Sequence, residues 1–365
     1  MTIIQDIQAR ELLDSRGQAI LECEVTLECG ALGRAVAPVG VPKEMRDGDE
    51  RRFGGRGVGL SLSHVRDLIS TPLRGMDGLN QVGVDRALGN LDSIGGNSSF
   101  GVSLAACHAA ALALEIPLCR YLGGLRGSRL PDPIVTLCRS SSGSRFGEFL
   151  AMSRKTGMRF KDKLRMLSEF SQGLLREFEN RGVRFNQGFE GIDVLDVMDC
   201  DILDSMRAAS EYCGYSLESD VAFGLARPLP LDMTTVESRS EGLQELLKEY
   251  PITYVELDWV KDEIASLSEA LKGILVCGVS SSCNGRVVEM SSATTVTELL
   301  GKCDEVRCGG RKLVFSACGA CGCDDSSASE LSIAVGAEHV RFGSLFRSEN
   351  VLKYNQLLRL EEMIS

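Results

Sequence analysis

The chain has 365 residues, 44% of them hydrophobic and 25% charged, with a net charge of −11. That length can bury core for two domains of roughly 100 to 200 residues each, and no run approaches the roughly 18 continuous apolar residues of a membrane span. The acidic balance, with no basic patch to offset it, argues against nucleic acid as a partner, and MTIIQDIQARELLDSRG lacks the basic lead-in and apolar stretch of a secretory signal, so a cytoplasmic location is expected.

From the N-terminus, ILECEVTLEC and LGRAVAPVG alternate apolar and polar residues before Gly and Pro, which predicts an antiparallel meander. VGLSLSHVRDLI and FGVSLAACHAAALALE then read as helices, the second with Ala and Leu spaced for close packing. The N-terminal part is therefore α+β. GGLRGSRLPDP, with Gly and Pro at its two ends, marks the domain boundary. Beyond it, amphipathic stretches such as KDKLRMLSEFSQGLLREFEN and SEGLQELLKEY alternate with short apolar strands such as ITYVELDW, ILVCGVSS and KLVFSACG. So long a run of βα units predicts a (β/α) barrel with its site where the strands end.

Fourteen cysteines without a secretory signal read as reduced thiols, most of them, like Cys107, small core residues. Cys303, Cys308, Cys318, Cys321 and Cys323 are spaced closely enough for a zinc or iron–sulfur site, but they match no paired CxxC pattern, so drifted loop residues are the blander alternative. His64, His108 and His339 are scattered over different elements and suggest packing roles.

The opening ARELLDSRGQAILECEV, the closing GSLFRSENVLKYNQLLRLEE, and RDGDERRFGGRGV, GVSLA and PLCRYLGG between them occur in the order seen in the enolases, which the chain resembles nearly end to end. The resemblance implies an α+β domain over residues 1–125 and an α/β (β/α) TIM-type barrel over 126–365. It also implies dehydration of 2-phosphoglycerate to phosphoenolpyruvate. That family chemistry uses two magnesium ions, a Lys base, a Glu acid and three metal-binding carboxylates at successive strand ends.

Carried over residue by residue, the first two metal carboxylates fall on Asp220 in LESDVAF and Glu256 in YVELDW. The third falls in ILVCGVSS, where Cys277, Gly278 and Val279 offer no oxygen side chain and Asp258 is the one replacement to propose. The base position is Glu289 and the acid position Gln187, both substituted. Glu148, Ser316 and Arg341 match substrate-binding positions, but Ala317 and Cys318 replace the His and Arg of the phosphate clamp. The magnesium-closing loop reads PVGVPKE, with no hydroxyl from Pro38 to Glu44. An acid and a base contribute about 10²- to 10⁴-fold each.

The implied protein is therefore a catalytically impaired homologue, a pseudoenzyme of the glycolytic lyase with magnesium weak or lost. The alternative is an active but divergent magnesium-dependent phosphopyruvate hydratase, a carbon–oxygen lyase, so whether the chain is an enzyme stays open at this point. Family habit adds the expectation of a homodimer, or a mixed dimer with an active paralogue, and a small phosphorylated carboxylate as ligand.

Overall fold

The computed structural model describes residues 1–126, 129–140, 142–188, 191–228, 236–257, 270–318 and 322–364. Strands β1 (Ile4–Leu13), β2 (Ala19–Leu27) and β3 (Leu32–Val36) form the expected antiparallel meander. One face of it carries Glu22 and Glu24 beneath Arg10 and Arg34, with Arg10 2.6 Å from Glu22 and Arg34 2.6 Å from Glu24. The other face takes the helices: α1 (59–73, with a π turn at His64–Ile69), α2 (Gln81–Gly89), α3 (Gly96–Ala113) and the short α4 (Leu118–Gly123). The small residues of α3 let it lie directly on the sheet. A Cβ on Gly33 would sit 2.1 Å from the Ala105 carbonyl oxygen and 2.2 Å from the Ala109 nitrogen, so this contact exists only with glycine there.

Next come β4 (Asp132–Ser140), β5 (Phe146–Ser153), α5 (Phe160–Arg181), the hairpin β6 (Phe185–Gly188) and β7 (Gly191–Val194), α6 (Asp199–Tyr212), β8 (Val221–Pro228), α7 (Val236–Glu249) and β9 (Ile252–Glu256). The chain finishes with β10 (Leu275–Cys277), β11 (Gly285–Glu289), α8 (Val296–Cys308), β12 (Lys312–Ser316), α9 (Ser327–Ala334), β13 (His339–Gly343) and α10 (Ser348–Ile364). Among the described residues, eight strands close into a barrel in the order β4-β5-β8-β9-β10-β11-β12-β13, with β13 returning to β4. The fold class implied by the sequence is the one observed. β5 runs antiparallel to both neighbours, and the β6–β7 hairpin extends the sheet beside the end of β4. Strand alternation separates two apolar layers: Ile134, Leu150, Ala226, Tyr254, Leu275, Cys277 and Val314 fill the barrel, while residues such as Val255, Leu257, Val288 and Phe315 face the helices. Among the described residues no helix is long and apolar enough to cross a membrane.

One seam of the barrel departs from the repeat. Parallel neighbours ordinarily need a crossover of about a dozen residues or more, yet only residues 278–284 join β10 to β11. The chain manages this by staggering the strands: the single registered pair is Cys277 with Gly285, so β11 begins where β10 ends. The Asn284 carboxamide stands in for the missing strand, donating to the Ile274 carbonyl and accepting from the Val276 amide, both at 2.8 Å. Among the described residues, strand pairing between β9 and β11 does not continue past Cys277.

Each of those side-chain bonds is worth about 0.5–1.5 kcal/mol, so Asn284→Ala is expected to lower unfolding free energy by about 1–3 kcal/mol. Asn284→Asp keeps the acceptor and loses the donor, and should fall between the two. Urea denaturation of the three proteins checks the order.

Candidate functional site

The strand ends at one face of the barrel bring six charged side chains together. Arg139 lies near the end of β4, and Glu148 sits opposite it near the start of antiparallel β5. Arg227 is at the end of β8, Glu256 closes β9, Glu289 closes β11, and Arg341 rises from β13. Glu148 has no exposed surface. It pairs with Arg341, with Arg227 Nε at 3.0 Å and with Arg139 Nε at 3.9 Å. Arg341, only 2% exposed, also places Nη1 3.0 Å from Glu256 Oε2. The buried Tyr254 hydroxyl donates to Glu256 Oε1 at 2.5 Å. Ser316, at the end of β12, is paired in register with Glu289 across the β11–β12 ladder.

Burial decides the protonation balance. It pushes the Glu256 carboxyl up to about 7, with the neighbouring Glu289 adding to the rise, while Tyr254 and Arg227 oppose it. Glu289 is raised for the same first reason, with Ser316 and Arg227 holding it back. Arg341 is drawn down to about 10 by loss of solvent. Burial likewise raises the Cys277 thiol, which argues against a reactive thiolate there.

Comparison with models of known protein families matches residues 4–122 to "Enolase, N-terminal domain" and residues 272–365 to "Enolase, C-terminal TIM barrel domain". The chain belongs to the enolase family. Glu289, Ser316 and Arg341 lie within the second matched segment, whereas Glu148, Gln187, Asp220 and Glu256 lie between the two. The enolase family is magnesium-dependent, and magnesium asks for near-octahedral oxygen ligands. Among the described residues this mouth does not fit that demand. The strand ends of β8 and β10 present Arg227 and Cys277, and both oxygens of Glu256 are already engaged, by Arg341 and by Tyr254.

Of the residues expected at the site, Glu148, Glu256, Glu289, Ser316 and Arg341 surround the mouth. Gln187 is on its rim in the β6–β7 hairpin, exposed, donating to the Phe346 carbonyl at 3.0 Å. Asp220 is a correction. It precedes β8 instead of ending it, so it lies at the opposite end of the barrel, about 20 Å from the mouth by strand rise, where Lys155 at 2.9 Å holds its carboxyl below the usual range. It cannot share an ion with Glu256. Asp258 and Cys321 fall outside the described residues. Cys303 and Cys308 are on α8 outside the barrel while Cys318 follows β12, and no group of three potential metal ligands gathers among the described residues. The 38–44 segment is tied to the start of α3, through the Gly96 amide on the Lys43 carbonyl and the Met45 amide on Asn97.

Sequence reasoning missed Arg139, Arg227 and Tyr254. The signal was present in VAFGLARP and in the alternation of ITYVE, which puts Tyr254 and Glu256 on one face.

The raised Glu256 carboxyl has a thermodynamic sign. The folded state binds its proton more tightly than the unfolded state, where the value is near 4.5, so stability falls as pH rises from about 4.5 to about 7. Glu256→Gln should flatten that decline, measured as chemical denaturation midpoints against pH. An unchanged slope would show that Glu256 is not the titrating group.

Proposed function

We propose that this protein is a catalytically silent member of the enolase family, whose barrel mouth has exchanged a metal-assisted lyase site for a closed arginine–glutamate network. The observation that carries the reading is Arg341, buried between Glu148 and Glu256. A carboxylate neutralised by a guanidinium is a poor ligand for a divalent ion, because the cation would have to displace a charge-assisted partner and then sit beside it. Magnesium affinity is accordingly weak or lost.

The proton-transfer roles point the same way. Gln187 has no ionisable proton to give to a leaving hydroxyl. Glu289 is anionic when it is basic, and so repels the substrate carboxylate that a lysine would attract. Its raised carboxyl makes it a better base than an exposed glutamate, but no described oxygen cluster holds a metal to stabilise the enediolate that proton removal creates. Beyond the mouth, Ala317 and Cys318 supply no cation for a phosphate group.

Purified protein should form no detectable phosphoenolpyruvate from 2-phosphoglycerate in excess magnesium, followed by ultraviolet absorbance beside an active family member. Magnesium alone should leave its thermal midpoint unmoved. Turnover comparable to the control would establish the divergent, active lyase instead and assign the base role to Glu289, testable with Glu289→Gln.

A further inference from the structure

The staggered β10–β11 seam places separate demands on two consecutive residues. Where β11 begins beside the end of β10, a side chain at position 285 has little room. A Cβ on Gly285 would stand 2.6 Å from Leu275 Cδ1 and 2.8 Å from Cys277 Sγ, so any larger residue must push two buried side chains aside. One residue earlier, the Ile274 carbonyl and the Val276 amide need a partner that donates and accepts at once, and the Asn284 carboxamide does both. Together the two demands produce Asn-Gly, a dipeptide found nowhere else in the 365 residues. In it the asparagine side chain lies open to attack by the next backbone nitrogen, because glycine has no Cβ to shield that nitrogen and restricts φ and ψ least.

We propose that Asn284 is a deamidation site gated by the seam, so that a transient opening of the barrel wall becomes permanent. The Gly285 nitrogen attacks Asn284 Cγ and forms the ring C–N bond of a succinimide. The Cγ–Nδ2 bond breaks, and ammonia leaves with the proton that the Gly285 amide gives up. Water then opens the ring at either carbonyl, giving aspartate or isoaspartate. Asn284 is exposed, so water reaches it. While the seam is closed, the reacting groups are turned away from one another. Nδ2 donates to the Ile274 carbonyl and Oδ1 accepts from the Val276 amide, while the Asn284 carbonyl accepts from the Lys312 amide at 2.9 Å, which fixes the peptide plane carrying the Gly285 nitrogen. Cγ must swing off β10 before it meets that nitrogen, and reaction therefore follows opening. Either product puts a carboxylate where the Nδ2 donor was, facing the Ile274 carbonyl. Isoaspartate also lengthens the main chain by one methylene just ahead of β11. Neither product restores the pair of bonds that closed the seam.

The experiment is prolonged incubation of the full-length protein in warm, mildly alkaline buffer across a urea series. Peptide mass spectrometry of the segment around Asn284 follows the conversion of amide to acid, and hydrogen exchange of the Leu275–Cys277 segment in the same samples follows opening. Conversion should be at least about tenfold slower in the folded protein than in the urea-unfolded chain, and should accelerate below the global transition in step with exchange at Val276. The converted fraction, and separately Asn284→Asp, should denature at lower urea than the unconverted protein. Equal rates in the folded and unfolded chains would overturn the proposal, as would acceleration confined to the global transition. So would absence of conversion in the unfolded chain, or a denaturation midpoint that conversion leaves unchanged.

Discussion

The barrel mouth depends on a buried guanidinium. Arg341 has almost no solvent contact, and a cation in that position is tolerable because the fully buried Glu148 lies against it while Glu256 accepts a hydrogen bond from it. Glu148 is no more exposed and needs its arginines equally; neither of its oxygens has a hydrogen bond among the described residues beyond these ion pairs. Removing one partner of such a pair typically costs about 3–5 kcal/mol, because the survivor is left charged and unsolvated. The same interdependence links stability to chemistry. A side chain that must neutralise a buried neighbour is not available to a metal ion, and the network that holds the strand ends together thereby removes the ligands a lyase would require.

The N-terminal domain contributes to this arrangement from outside the barrel. Asp85 and Ser103, on α2 and α3, accept hydrogen bonds from the Thr297 and Val296 amides at 2.8 and 2.9 Å. These are first-turn donors of α8, the helix that follows Glu289, and such donors lack partners within their own helix. Asp325, just before α9, returns the contact by accepting from the Val36 amide at the end of β3 at 2.8 Å. The small domain therefore caps α8, and is itself held by the Asp325 that precedes α9. Its meander thus joins the barrel's second half through the Val36 amide.

Much of the fold was legible because it is written in periodicity and in long ordered motifs. Alternation in ILECEV marks a strand with two different faces, and the Ala-rich run of α3 announces a helix that must approach a sheet closely, as Gly33 then allows. The site was legible where a residue ends a strand that can be delimited from its own apolar run, as with Glu256, Glu289 and Ser316. It was misread at Asp220, where the carboxylate borders the apolar run VAFGLA on its N-terminal side. A strand has two ends, and only its direction within the barrel distinguishes them. Arg227, at the other end of the same run, was passed over because the search was for oxygen ligands. The Glu148–Arg341 pair joins residues nearly two hundred positions apart in the chain, and no local pattern encodes such a pairing.

The seam between β10 and β11 gives this barrel an uneven rigidity. Closed barrels ordinarily distribute their strength around a continuous ladder, so no point on the circumference is the natural place to part. Here, among the described residues, one junction rests on a single registered pair and one carboxamide. Sub-global opening is expected to begin at the least cross-linked boundary. The ring is therefore better regarded as a clasp, with its hinge in the well-paired strands opposite and its catch at Asn284.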